Sequence, residues 1–271
     1  NYCLSGPALK IFQRKLGNIE IISLKEAIDQ SDSLFCGTSW ESDLEWESIK
    51  IAKKSKKKSI AFIDHWGNYR ERFIRKAEAS LPDEVWVGDS EAEILANKVF
   101  PEVIVRQIEN PYFKEIKSEL NVIKKSLTRD KTGTSVLFVS EPLREHGKKA
   151  FSNELHWGYT EEEGLHYLLS NLYIFKNKLE RIVIRPHPSE AIDKFHWVSK
   201  KYSLPIENGG RKTLLEEIAE CDVVVGFQTM ALVVGILAEK RVISCIPEGG
   251  KACNLPLPEI EHLQSLVNVH R

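Results

Sequence analysis

The sequence carries almost no net charge and has no apolar run long enough to cross a membrane. Lys and Arg together number 38 and Asp and Glu number 39 among the 271 residues, which argues against a general nucleic-acid binder with a basic surface. A membrane-spanning helix needs roughly 18 consecutive apolar residues. The longest candidate, VVVGFQTMALVVGILA, is interrupted by Gly and polar residues. We therefore expect no nucleic-acid partner and no transmembrane segment, while peripheral contact with a membrane stays open.

Signs of disulfide, metal and cofactor chemistry are also lacking. The five cysteines show no CxxC spacing, and Cys36, Cys221 and Cys245 lie in apolar runs, which is typical of reduced, buried thiols. The sequence contains no HExxH motif, no paired Cys ligands, no Walker A motif and no GxGxxG fingerprint. The first residues lack the basic start and apolar core of a signal peptide. We expect a cytoplasmic protein that binds no metal ion and uses no cofactor.

Short β-rich runs alternate with amphipathic helical stretches along the whole chain, which indicates βαβ units with parallel sheets covered by helices. The predicted strands are 2–4, 19–22, 33–36, 59–63, 84–87, 103–106, 135–139, 181–185, 222–225 and 241–245. The lysine-rich segment 113–134 predicts a linker or helix between a first domain, 1–112, and a second, 135–271. Each domain has the size of one Rossmann-like doubly wound unit.

The stretch RIVIRPHPSE places polar residues directly after a predicted strand. Ligands of open α/β sheets bind beyond the carboxyl ends of strands, where Arg185, His187 and Ser189 fall. The prolines on both sides of the histidine stiffen the backbone. Arginine and histidine both supply hydrogen-bond donors for phosphate. This pattern favours a phosphate site, although a strand-end turn with a surface histidine would also explain it.

A second candidate element is the stretch CDVVVGFQTMALVVGILA. Gly226 permits a tight approach between backbone segments, and Gln228 and Thr229 fall at the start of a buried helix. Free N–H groups at a helix amino terminus bind anions. Thr229 is also a suitable N-cap, and the two roles are compatible.

These two elements together resemble the carboxyl-terminal donor domain of GT-B glycosyltransferases. The similarity is to bacterial enzymes with a His-Pro motif followed by a Ser/Thr motif, which include sialyltransferases, Kdo transferases and polysialyltransferase-like proteins of surface-polysaccharide synthesis. It covers mainly residues 135–250. The resemblance implies two Rossmann-like domains facing a cleft, with the donor in the second. It also implies that His187 and Thr229 contact the nucleotide phosphates.

The loop that opens the second half adds two candidates. The predicted strand VLFVS is followed by Glu141 and, three residues later, Arg144. Glu141 suits proton transfer or binding of sugar hydroxyls, and Arg144 suits a phosphate. A helix-capping turn is the alternative interpretation.

The first half holds its densest cluster of functional residue types in SIAFIDHWGNYRERF. An inverting transferase needs a base for the acceptor hydroxyl, and Asp64 or His65 fits that role. Trp66 and Tyr69 suit stacking on an acceptor sugar, although Asp64 as a helix cap and Trp66 as a core residue are equally open. Two further loops at the same predicted sheet edge contribute Gly6, Thr38 and Ser39.

Together with these residues, the resemblance implies a metal-independent glycosyltransferase that moves a sugar from a nucleotide-sugar to a glycan or surface-polysaccharide acceptor. A nucleotide-sugar hydrolase or epimerase on the same scaffold is one alternative, but the segment after the last donor strand, GFQTMALVVG, lacks the acids of the epimerase group. The other alternative is a non-catalytic nucleotide- or glycan-binding partner of a synthase.

Overall fold

The computed structural model describes residues 1–39, 42–127 and 132–269. The chain forms two compact units, one ending at Asn110 and the other beginning at Pro111. The predicted intervening segment 113–134 starts as a long helix that packs within the second unit. Residues 128–131 of that segment lie outside the described residues.

The first unit is built on four parallel strands. Its strands are β1 (Ser33–Cys36), β2 (Lys58–Ile63), β3 (Ile74–Arg75), β4 (Glu78–Ala79), β5 (Glu84–Val87) and β6 (Ile104–Gln107). Its helices are α1 (Gly6–Leu16), α2 (Leu24–Asp29), α3 (Leu44–Lys54) and α4 (Ser90–Val99). The main sheet has the order β1-β2-β5-β6, and β3 and β4 form a separate antiparallel pair.

The burial pattern of this sheet follows from the period of two in a β-strand. Ala61 and Ile63 of β2 and Val85 and Val87 of β5 share one face and are buried. Helix α3 joins β1 to β2 and packs against both strands, as α4 does for β5 and β6. The predicted strands 2–4 and 19–22 are reduced to one bridge between Tyr2 and Ile21.

The second unit is built on six parallel strands. Its strands are β7 (Thr134–Val139), β8 (Leu179–Arg185), β9 (Ile206–Asn208), β10 (Val223–Gly226), β11 (Arg241–Ser244) and β12 (Ile260–His262). Its helices are α5 (Pro111–Ser126), α6 (Leu143–Phe151), α7 (Glu161–Ser170), α8 (Trp197–Lys201), α9 (Leu214–Glu220), α10 (Met230–Leu237) and α11 (Leu263–Val269).

The strand order of this sheet is β12-β11-β10-β7-β8-β9. Read from the other edge, the order is third, second, first, fourth, fifth and sixth in the sequence, which is the Rossmann order. The chain leaves β7 towards one edge and later returns to pair β10 with β7. The order therefore reverses between β7 and β10, and this reversal defines where a ligand is expected.

The prediction of an α/β protein with two Rossmann-like units is confirmed. The core of the second unit shows why its strands formed as predicted, because Val136, Phe138, Ile182 and Ile184 are all at most 1% exposed. Strands buried on both faces read as continuous apolar runs. Among the described residues, no helix is long and apolar enough to span a membrane.

Candidate functional site

The carboxyl ends of β7 and β10 meet at the point where the strand order of the second unit reverses. Gly226 ends β10, and a Cβ atom there would lie 2.9 Å from Cγ2 of Thr229 and 3.3 Å from the carbonyl oxygen of Val139. A larger residue at position 226 would thus displace the strand end from its neighbour. The sequence-based interpretation of Gly226 as a point of close approach is confirmed.

A carboxylate already lies at the amino terminus of α10. Glu141 follows β7, and its Oε1 accepts the backbone N–H of Gln228 at 2.8 Å. The backbone N–H groups of Phe227 and Thr229 also bond to this carboxylate. Burial raises the pKa of Glu141 to about 7, against the opposing effect of these N–H groups, and the charge of Glu190 adds to the rise. The loop therefore binds an anion, although the anion in this geometry is its own side chain.

Thr229 is the N-cap of α10. Its hydroxyl accepts the backbone N–H of Ala231 at 3.2 Å, and its backbone is extended. This satisfies one of the free N–H groups that every helix start presents. The N-cap interpretation of Thr229 is confirmed, and its role towards a phosphate stays a prediction.

His187 lies in a closed turn after β8. Its backbone N–H donates to Glu190 Oε2 at 2.8 Å, and the backbone N–H of Glu190 donates to the His187 carbonyl at 2.8 Å. The ring Nδ1 accepts the backbone N–H of Ser189 at 3.2 Å and lies 2.8 Å from the Ser189 hydroxyl. Since a backbone N–H can only donate, Nδ1 is unprotonated. With Nδ1 as the acceptor, the ring N–H lies on Nε2, which is the nitrogen that can donate to a ligand.

The two arginines predicted to face phosphate are both paired with acids. Arg185 donates to Glu217 Oε2 at 2.8 Å and to the carbonyl of Lys212. The Glu217 side chain is only 6% exposed. Arg144 donates to Glu162 Oε1 at 2.6 Å. An ion pair of this kind reduces the charge that is left for a ligand, and the phosphate role of both arginines stays a prediction.

Four residues that surround this site were not predicted as functional from the sequence. Lys194 bonds to both Glu161 and Glu190, whose side chains are 1% exposed. Ser140 is buried at the end of β7, and its hydroxyl has no hydrogen-bond partner among the described residues. Glu161 is the first residue of α7 and reads as an ordinary helix-start acid, whereas Lys194 falls in an irregular segment without a motif.

In the first unit, Arg72 forms hydrogen bonds to two of the predicted residues. Its guanidinium donates to the Thr38 hydroxyl at 2.9 Å and to Asp64 Oδ1 at 3.2 Å. His65 follows directly, and its Nδ1 accepts the backbone N–H of Gly67 at 3.2 Å. Burial, followed by the charge of Arg72, lowers the pKa of His65. A neutral imidazole beside an exposed carboxylate is therefore present at the end of β2.

The predicted stacking surface for an acceptor sugar is not present in this geometry. Trp66 is 7% exposed and donates through Nε1 to Asp89 at 3.0 Å. Tyr69 is 5% exposed and stacks on Phe100. Both rings belong to the core of the first unit, so the alternative interpretation of Trp66 as a core residue is the correct one.

The remaining two predicted acceptor-side residues lie in separate local structures. Gly6 begins α1 with a φ of 56°, and the Ser39 hydroxyl accepts the backbone N–H of Ser42 at 3.1 Å. The contact between Ser39 and Ser42 does not involve Asp64 or His65. Among the described residues, no group of three or more His, Cys, Asp and Glu side chains is arranged to hold a metal ion.

Comparisons with known proteins find a likeness to solved structures. No protein-family model matches the chain, and no curated protein matches it. A similar solved structure is that of KpsC, a β-Kdo 2,7 transferase from Thermosulfurimonas dismutans, with 13% identity and a TM-score of 0.36. The match covers 87% of this chain and 88% of that chain. A likeness at this identity and TM-score carries no argument about the function of this chain.

Proposed function

We propose that the protein is a glycosyltransferase that moves a sugar from a nucleotide-sugar donor to a glycan acceptor without a bound metal. The observation that carries the proposal is the anion-binding loop after β10, at the reversal point of a Rossmann-ordered sheet. Ligands of such sheets bind at this point. Fixed N–H donors there would stabilise the charge of a departing nucleotide phosphate.

His187 and the start of α10 supply the donors in this proposal. Nε2 of His187 is the protonated nitrogen. Glu190, in the same turn, lies close enough to Glu141 for its charge to raise the pKa of Glu141. Gln228 and Thr229 add the backbone donors that now hold Glu141. A donor phosphate therefore takes the place of the Glu141 carboxylate.

Three groups are candidates for the proton transfer. Glu141 has a pKa of about 7, and a general base works best when its pKa lies near the working pH. His65 stays neutral because its pKa is lowered, so its ring can accept a proton. Asp64 is held by Arg72. We assign to Asp64 or His65 the base that takes the proton of the acceptor hydroxyl, and to protonated Glu141 the donation of a proton to the departing nucleotide phosphate.

The location and partners follow from the same proposal. The acceptor is a growing glycan or surface polysaccharide, and the donor is a nucleotide-sugar. All five cysteines are free thiols in the structure, which supports a reducing, cytoplasmic setting.

The test is nucleotide binding by His187→Ala. Wild-type protein is screened by thermal shift against CMP, CDP, UDP and GDP, because a ligand stabilises the folded state by mass action. The affinity for the selected nucleotide is then measured by calorimetry. Loss of a hydrogen bond to a charged phosphate is worth about 1.5–3 kcal/mol, so we expect the affinity to fall at least tenfold.

His196→Ala is the matched control, since His196 is exposed and precedes α8. Equal affinity of His187→Ala and wild type would contradict the phosphate role. Turnover of donor without acceptor would indicate a hydrolase or epimerase instead. Binding without any turnover would indicate a non-catalytic partner of a synthase.

A further inference from the structure

Lys194 is the shared cation of two acids that are almost fully buried. Its Nζ lies 2.8 Å from Glu190 Oε1 and also bonds to Glu161 Oε1. The side chains of both glutamates are 1% exposed, and that of Lys194 is 18% exposed. A buried carboxylate is stable only when it is paired and hydrogen-bonded. Glu190 has Lys194 as its cation, whereas Glu161 also lies 3.5 Å from Arg144 Nε, so the ammonium is the cation that the two acids share.

The acids that Lys194 holds belong to different loops of the second unit. Glu190 closes the turn that contains His187. Glu161 begins α7 and accepts the backbone N–H of Arg144, at the start of α6, at 3.3 Å. The ammonium thus links the loop after β8 to the starts of two helices, close to the carboxyl edge of the sheet.

The orientation of the His187 ring depends on this turn. The Glu190 carboxylate uses Oε2 for the backbone N–H of His187 and Oε1 for Lys194. The same turn brings the backbone N–H of Ser189 to Nδ1, which places the ring proton on Nε2. If Glu190 leaves the turn, the contact that selects this tautomer is no longer held.

We propose that Lys194 is a positioning residue that keeps His187 in its Nε2-protonated form by holding Glu190 in the turn. The role of His187 as a hydrogen-bond donor to phosphate rests on the proposed function. The effect of Lys194 on the His187 ring does not depend on that function. Without the ammonium, Glu161 and Glu190 become neighbouring buried acids with no shared counterion. Their repulsion expels Glu190 from the turn.

The direct test is the tautomer of His187, read from the ring ¹⁵N shifts of protein labelled with ¹⁵N-histidine. His187→Ala assigns the signal among the eight histidines. We expect wild-type protein to show the Nε2-protonated ring. We expect Lys194→Met, which keeps the apolar stem without the charge, to show the averaged shifts of a free imidazole. Lys200→Met, at an exposed lysine of α8, is the control and should leave the signal unchanged.

Two further variants separate positioning from a general loss of structure. Lys194→Met combined with Glu161→Gln removes the repelling charge, so the His187 signal should return towards that of wild type. Glu190→Gln leaves one acceptor oxygen for two donors, Lys194 and the backbone N–H of His187, and keeps the pair between Lys194 and Glu161, so it should fold and still shift the His187 signal. If Lys194→Met fails to fold, Glu190→Gln still tests whether the contacts of Glu190 set the tautomer of His187.

The nucleotide selected in the thermal-shift screen supplies the second readout. We expect Lys194→Met to weaken its affinity at least fivefold in wild-type background and to have no added effect in the His187→Ala background, because the two residues act through one contact. An unchanged His187 signal in folded Lys194→Met and in Glu190→Gln would overturn the inference. Absence of nucleotide binding by wild type would instead refute the proposed function and leave the tautomer test intact.

Discussion

Single residues determine the electrostatics of the candidate site. Glu141 is the main example, because its carboxylate is buried at the start of α10 and yet accepts three backbone N–H groups. The N–H groups favour the charged form, whereas burial disfavours it. Burial is the larger effect, so the pKa is raised to about 7. The site therefore gains or loses a proton close to neutral pH.

This pKa predicts a pH dependence of stability. A carboxyl whose pKa is higher in the folded protein than in the unfolded chain takes up its proton earlier in the folded state. The free energy of unfolding should therefore fall as pH rises from about 4.5 to about 7, by up to about 3 kcal/mol. Urea titrations across this range should show the slope in wild type and a smaller slope in Glu141→Gln.

Glu145→Gln is the matched control, because Glu145 lies on the exposed side of α6. It should keep the slope of wild type. If Glu141→Gln and wild type lose stability in parallel between these pH values, the carboxyl at position 141 is not the group responsible.

At the scale of elements, close packing of a helix on a loop sets the position of the candidate site. Gly164 lies in α7 beneath the ring of Phe227, where an added Cβ would come within 2.1 Å of Cε1 and 2.5 Å of Cζ. Phe227 is fully buried and contacts Phe138 and Tyr159 edge to face. Since the ring has no room to move, α7 fixes the loop that carries Gln228 and Thr229.

We expect Gly164→Ala to destabilise the protein by about 1–3 kcal/mol, the usual range for overpacking a filled core. Helix propensity alone would predict the opposite sign, because Ala is favoured over Gly by about 1 kcal/mol. Thermal and urea unfolding measure the difference. Gly37→Ala is the control, because its Cβ would meet no atom within 4 Å. A Gly164→Ala protein as stable as wild type would show that the ring is not confined.

At the scale of the whole molecule, the chain divides between Asn110 and Pro111. Helix α5 falls on the second side of this division, where it contacts α9 and α10 and buries Ile116 and Leu120. The second unit has its own apolar core around β7, β8 and β10. A unit with its own core and its own covering helices is expected to fold by itself.

A fragment that spans residues 111–271 contains the whole second unit. We expect it to unfold in one cooperative thermal transition followed by circular dichroism. Within it, Leu120→Ala should cost about 2–5 kcal/mol, since a buried leucine leaves a cavity. Val122→Ala is the control, because Val122 is 71% exposed. A fragment without a cooperative transition would contradict the division of the chain at Pro111.

Much of the fold could be predicted because it depends on local pattern. The apolar runs of β7, β8 and β10 are buried on both faces and stand out in the sequence. The cap at Thr229 bonds to Ala231, and the nearest atom to a Cβ at Gly226 belongs to Thr229, so both features involve neighbours along the chain. The segments 2–4 and 19–22 read as strands but form only one bridge, because pairing depends on a partner strand that the sequence does not specify.

By itself, the sequence determined the α/β class, the two units and the positions of His187 and Thr229 at element ends. Only the tertiary structure decided which side chains are committed to each other. Arg185 meets Glu217, Trp66 enters the core, and Lys194 joins Glu161 to Glu190. Most of these contacts join residues distant in sequence, and they depend on burial and charge in the folded unit, which residue type and spacing alone do not encode.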